Sequence, residues 1–123
     1  MYGFLQGEDF EKVLCEARAY YAGHLCERTR PYDGMPETLS SLAEQGFGLA
    51  VLSNKPEELT QALIERFFPH IPFAAVHGGS PARPLKPDPA SAVGVLASLG
   101  LSAGQCFYVG DSDVDMLTAK RCG

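Results

Sequence analysis

Cysteine is scarce and poorly spaced for chemistry. The four residues, Cys15, Cys26, Cys106 and Cys122, form no Cys-x-x-Cys pair and fall mostly in apolar patterns. They read as reduced, buried thiols of a cytoplasmic protein, against disulfides or a zinc site. Positive charge is short as well: 10 Lys and Arg stand against 15 Asp and Glu, a net charge of -5. That balance argues against non-specific nucleic-acid binding while leaving room for a locally positive cleft. No apolar run approaches the roughly 20 residues that span a membrane. The acidic N-terminal stretch also lacks the charged-then-apolar order of a signal peptide, and no internal repeat or low-complexity tract is present. His24, His70 and His77 have no metal-ligand spacing and read as surface or core residues.

What is present fits one globular domain with room for a fragment of a second: 123 residues, 46% hydrophobic and 20% charged. Residues 8 to about 27 read as one or two helices, with Phe10, Val13, Leu14, Ala17 and Tyr21 at helical spacing and a break at Gly23. Such a stripe needs a surface to pack on. Arg30-Pro31-Tyr32-Asp33-Gly34 is a linker with turn chemistry.

From Met35 onward, helix and strand alternate. Pro36 stands at a first helical position and Gly46 at the stop. Residues 47–52 form a near-continuous apolar run, the pattern of a parallel strand covered on both faces. It ends at Ser53-Asn54-Lys55, and Pro56 opens a helix that Pro69 stops. A short strand is expected over 73–76, then a Gly- and Pro-rich loop over 77–87. Asp88 is the expected N-cap of the next helix, with Val93, Leu96 and Leu99 turned inward before the Gly100 stop. A third strand is expected over 106–109, followed by a helix reaching Cys122. The pattern predicts an α/β protein with a parallel sheet.

In open parallel sheets, ligands sit outside the carboxyl ends of the strands. Here those ends carry Ser53-Asn54, then Lys86, then Asp111, so a hydroxyl, an ammonium and a carboxylate converge from distant positions. Ser53 and free backbone N–H groups leading into the next helix suit an anion. Lys86 supplies a point charge for phosphate oxygens. Asp111, Asp113 and Asp115 follow Gly110 within five residues, a cluster that suits Mg²⁺. A plainer alternative stands beside it: Asp113 is a helix N-cap and the other acids favour the positive helix end.

Three stretches resemble the second, third and fourth motifs of the haloacid dehalogenase superfamily. They are Leu52-Ser53-Asn54-Lys55-Pro56, Leu85-Lys86-Pro87-Asp88-Pro89 and Tyr108-Val109-Gly110-Asp111-Ser112-Asp113-Val114-Asp115. The Ser-Asn-Lys-Pro form, the Arg30-Pro31-Tyr32 entry and the Gly78-Gly79 loop look most like bacterial phosphoglycolate phosphatases. The resemblance implies a three-layer Rossmann-like parallel sheet, incomplete here, as a partial phosphatase core over 31–123. Residues 1–30 would be the C-terminal part of a helical cap. It also implies a Mg²⁺-dependent phosphomonoesterase working through a phospho-aspartate on a small phosphorylated metabolite. Ser53, Asn54 and Lys86 would bind phosphate, Asp111 would ligate Mg²⁺, and Lys86 and Asp115 would be catalytic, Asp115 by orienting the metal shell.

That family's nucleophile lies in an apolar strand followed by Asp-x-Asp-Gly, and no such stretch exists here. Asp33-Gly34 follows Pro31-Tyr32, which is no apolar strand, so Asp33 is a turn residue. Without an attacking group the 123-residue chain is expected to be inactive by itself. A fragment, or a shortened gene product, is expected. The alternative is a non-catalytic phosphate- or Mg²⁺-binding remnant or partner module that self-associates through unpaired strand edges.

Overall fold

The protein is described by a computed structural model that covers residues 7–123. In chain order its elements are α1 (Glu8–Gly23), α2 (Met35–Glu44), β1 (Leu49–Pro56), α3 (Glu57–Phe67), β2 (Phe73–Gly79), α4 (Ala90–Leu99) and α5 (Asp113–Cys122). A 3-10 turn at Ala103–Gln105 precedes α5. The architecture is α/β, as the alternation predicts. Two compact units divide between Arg30 and Pro31. Among the described residues, no helix is long and apolar enough to cross a membrane.

In the first unit, α1 is a single helix. Glu8, Asp9 and Glu11 occupy its first turn, where carboxylates complement the positive helix end. At its close the backbone N–H of His24 donates to the Tyr20 and Tyr21 carbonyls, and the His24 ring stacks on Tyr20 with centroids 3.9 Å apart. α1 is the unit's one regular element among the described residues, so its apolar stripe has no second element within the unit to pack on. Val13 and Tyr21 are exposed accordingly. Cys15 and Cys26 are exposed too, and Cys106 and Cys122 half-buried. The expectation of four buried thiols is therefore corrected; all four are free.

In the second unit, β1 and β2 pair in parallel across α3, which packs on both strands, and α4 touches both strands and α5. Helix ends follow the residues that allow them. Pro stands at the start of α2, and Gly100 closes α4 at φ 66°, a conformation open to glycine. Asp88 caps α4 from one place further out than expected: its Oδ1 accepts the Ala90 N–H at 2.8 Å while Pro89 holds the N-cap position. The inner face of α4 is Ser91, Ala92 and Val95, and Val93 is exposed. Of the expected inward set, Leu96 and Leu99 are half-buried beside this face and Val93 alone is turned out, with Ser91 held down by donating to the Pro84 carbonyl at 2.6 Å.

Two sheet expectations are corrected. β2 runs on through His77, Gly78 and Gly79, which were expected in the loop. The extension depends on a missing side chain: a Cβ on Gly78 would lie 2.5 Å from the Glu57 Cα and 2.7 Å from the Lys55 carbonyl oxygen. The third strand does not form. Cys106 is extended, at φ -124° and ψ 149°, but the sheet contains β1 and β2 alone among the described residues. Phe107 and Val109 are 92% and 91% exposed. A strand is a relation between two segments, and residues 106–110 find no hydrogen-bonded neighbour in either one.

Candidate functional site

The carboxyl end of β1 leaves the ladder. Leu52 pairs with His77 and Pro56 with Gly79, so four steps on β1 match two on β2. A surplus of this kind bends a strand and re-aims its side chains, and the residues thrown out are Ser53, Asn54 and Lys55. The Ser53 Oγ accepts the Lys55 N–H at 3.1 Å, which leaves the hydroxyl proton to donate outward. The Asn54 side chain is turned to the Lys86 main chain. Its Oδ1 accepts the Lys86 N–H at 2.8 Å and its Nδ2 donates to the Lys86 carbonyl at 2.9 Å. The side chain brackets the Lys86 main chain across 32 residues of sequence.

Lys86 then reaches back over β1. Its Nζ donates to the Leu52 carbonyl at 3.0 Å, beside Ser53, and to Asp115 Oδ1 at 2.6 Å. The two side chains are 11% and 9% exposed, so this is a charge-assisted pair largely out of water. An ammonium has three donors, and two are used. The other Asp115 oxygen, Oδ2, accepts from the Ser112 hydroxyl at 2.6 Å and the Ser112 N–H at 3.2 Å. Ser112 also accepts the Asp115 N–H at 3.2 Å, which makes a capping box at the start of α5. The N-cap is therefore Ser112 and not Asp113. The Tyr108 hydroxyl adds a longer bond to Asp115 Oδ1 at 3.3 Å.

This company holds the Asp115 carboxyl down at about 2, first through Lys86 and then through Ser112, against the opposing effect of burial. The Tyr108 phenol is pushed up to about 12 by burial and by the neighbouring Asp115 charge, so it stays a donor at neutral pH. Folding depresses the Asp115 value below its ordinary 3.8, so the native state gains stability above that value. The gain is expected to disappear as pH falls from about 4 through about 2. Denaturant midpoints measured across that window check it: Asp115→Asn should flatten the slope, and an unchanged slope would contradict the assignment.

Asp111 is exposed, at the head of the loop into α5. Its carboxylate makes no side-chain hydrogen bond among the described residues. Asp113 Oδ1 accepts the Val114 N–H at 2.9 Å, and both Asp115 oxygens are engaged. Among the described residues, no three His, Cys, Asp or Glu side chains gather around one point. Mg²⁺ is commonly bound through one or two carboxylates with water and phosphate oxygens. Asp111 fits as one such carboxylate, and Asp115 fits as a support and not as a direct ligand.

The structure thus brings Lys86 and Asp115 together against the Leu52–Ser53 peptide, and leaves Asp111 unpaired four residues ahead of Asp115. Sequence reasoning missed Ser112, Tyr108, Glu57 and Arg83. Ser112 was findable, since Ser-x-x-Asp before an apolar run has capping-box spacing. Arg83 pairs with Glu57 from 26 residues away, and no local signal announces it.

An ion pair from the loop after β2 to the first turn of α5, set against the Leu52 carbonyl of β1, lies at the carboxyl edge of the sheet, where ligands collect in α/β folds of this kind. The family profile described as haloacid dehalogenase-like hydrolase matches residues 2–123, and the chain belongs to that family. Its relatives narrow the class. The phosphoglycolate phosphatase of Rhodospirillum rubrum is 37% identical over 127 residues, covering 99% of this chain and 53% of its own length. That of Mannheimia succiniciproducens is 39% identical over 104 residues, covering 85% of this chain and 46% of its own length. A crystal structure of a predicted phosphoglycolate phosphatase from Haemophilus somnus superposes with a TM-score of 0.89 at 33% identity. That match covers 96% of this chain and 52% of the other. The chain spans about half the length of the relatives it matches.

Proposed function

We propose that this chain carries the phosphate-holding and metal-holding side of a Mg²⁺-dependent phosphomonoesterase of the phosphoglycolate phosphatase type. One observation carries the reading: the Lys86 ammonium, fixed by Leu52 and Asp115, lies beside Ser53 with a donor to spare. In this reading the Ser53 hydroxyl and the third Lys86 N–H donate to phosphoryl oxygens, where charge develops as the ester bond breaks. Asp115 keeps Lys86 in place. Asp111 holds Mg²⁺, which when bound neutralises phosphoryl oxygens. The attacking carboxylate of the phospho-aspartate route lies outside these 123 residues, and residues 1–30 belong to a cap that selects a small phosphorylated metabolite. Four free thiols go with a reducing, cytoplasmic setting.

The purified chain is expected to hydrolyse no phosphoglycolate above background and to bind Mg²⁺ with a Kd of roughly a millimolar or weaker. Release of inorganic phosphate with and without Mg²⁺, beside the Asp111→Ala variant, tests the first, and a calorimetric titration with Mg²⁺ tests the second. Turnover that disappears in that variant would place the attacking group within this chain and overturn the division of labour.

A further inference from the structure

We propose that Glu57, paired with Arg83, is a positioning residue that fastens the loop carrying Lys86 to the start of α3. The loop leaves β2 at Gly79 and enters α4 at Ala90. Near its far end it is held by the Asn54 bracket on Lys86 and by Ser91 on Pro84. Near its beginning a single carboxylate oxygen does the corresponding work. Glu57 Oε2 accepts the Gly78 N–H at 2.7 Å and the Arg83 guanidinium through Nη2. The Gly78 N–H holds the Glu57 carboxyl below the usual range, and Arg83 adds to this.

Between these anchors the chain turns tightly. The Arg83 N–H donates to the Ser80 carbonyl at 3.2 Å, and the Leu85 side chain occupies the space that a Cβ on Gly79 would need. Among the described residues, Arg83 Nε, His77 Nδ1 and Ser80 Oγ are all buried in this region without a hydrogen-bond partner. Polar atoms kept from water without partners weaken a segment, so the turn depends on the one strong pair it has. Asn54 and Glu57 both lie at the β1–α3 junction, and the loop is therefore fastened to one place at both ends. If Glu57 lets go, Arg83 is released, the stretch ahead of Lys86 keeps the Ser91 hold on Pro84 but loses its second anchor, and the Asn54 bracket on Lys86 opens more often. The proposal rests on the reading of Lys86 as a phosphate ligand for its consequence, and not for its geometry.

Amide hydrogen exchange of the purified chain separates loop fastening from general stabilisation. The Lys86 N–H, protected by Asn54, reports the loop, and amides of the β1–β2 ladder report the core. Glu57→Gln is expected to speed exchange at Lys86 roughly tenfold while the ladder amides hold their rates. Arg83→Ala should reproduce the effect, which also covers the case of a Glu57 variant that does not fold. Arg83→Lys, which keeps the charge, should restore most of the protection. Equal acceleration at Lys86 and in the ladder would make Glu57 a general stabiliser and overturn the proposal, as would an unchanged Lys86 amide. No phosphate is added, so the exchange rates do not depend on whether the chain binds phosphate. A separate titration with inorganic phosphate then tests that reading.

Discussion

Replacing Lys86 with methionine is expected to destabilise the chain by about 3–5 kcal/mol, the usual cost of leaving one member of a buried ion pair alone. Methionine preserves most of the volume of the lysine stem, so packing changes little and the charge is the variable. Asp115 is 6% exposed and loses the partner that contributes most to its low value. Ser112 and Tyr108 still donate to it, but neither is a cation. The carboxyl should therefore rise from about 2 to its ordinary 3.8 or above, which an NMR titration reads directly. The double variant Lys86→Met with Asp115→Asn removes both charges. It should recover part of the loss, because a buried pair replaced on both sides often costs little. A single-variant loss below about 1 kcal/mol would mean that the pair is solvated and screened.

Gly78→Ala is expected to cost about 3 kcal/mol or more, the upper end of what overpacking does. The new methyl would sit 2.5 Å from the Glu57 Cα, 2.7 Å from the Lys55 oxygen and 2.8 Å from the Glu57 nitrogen. All three are backbone atoms, at the point where β1 turns into α3, so no side-chain rotation relieves the contact. The strands would have to separate at their carboxyl ends, and that would move Ser53 and the Lys86 loop together. Gly94→Ala is the matched control. Gly94 lies within α4 with nothing inside 4 Å of an added Cβ. There the same change should be neutral or stabilise by up to about 1 kcal/mol. Equal effects at the two positions would show that backbone crowding at Gly78 is relieved at little cost.

The residues that end elements were legible in the sequence because their signal is local. Pro36, Gly46, Pro69 and Gly100 act through their own backbones, and the helices stop and start within a residue or two of them. Strand identity was less so. Residues 106–109 carry the apolar character of a strand, yet Phe107 and Val109 stand in solvent, because pairing belongs to a neighbour that the segment cannot specify. One helix position slipped as well: on α4 Val93 is exposed while Ser91 is buried, since the Ser91 hydroxyl donates to the Pro84 carbonyl at 2.6 Å. At the candidate site, Ser53, Lys86 and Asp111 could be named because strand ends collect ligands in this class of sheet, and Asp115 through the motif it shares with the family. Their wiring could not. Asn54 clasping Lys86, and Lys86 meeting Asp115, join residues about thirty apart, where only the fold supplies the distance.

Titrating the ¹⁵N-labelled chain with inorganic phosphate in the presence of Mg²⁺ tests most directly whether the ends of β1 and of the Lys86 loop share one anion. Resonances of Ser53, Lys86 and Asp111 should move together with a single saturable dependence, and Lys86→Met should abolish it. Shifts confined elsewhere, or a Lys86→Met variant that binds phosphate as the parent does, would contradict the account.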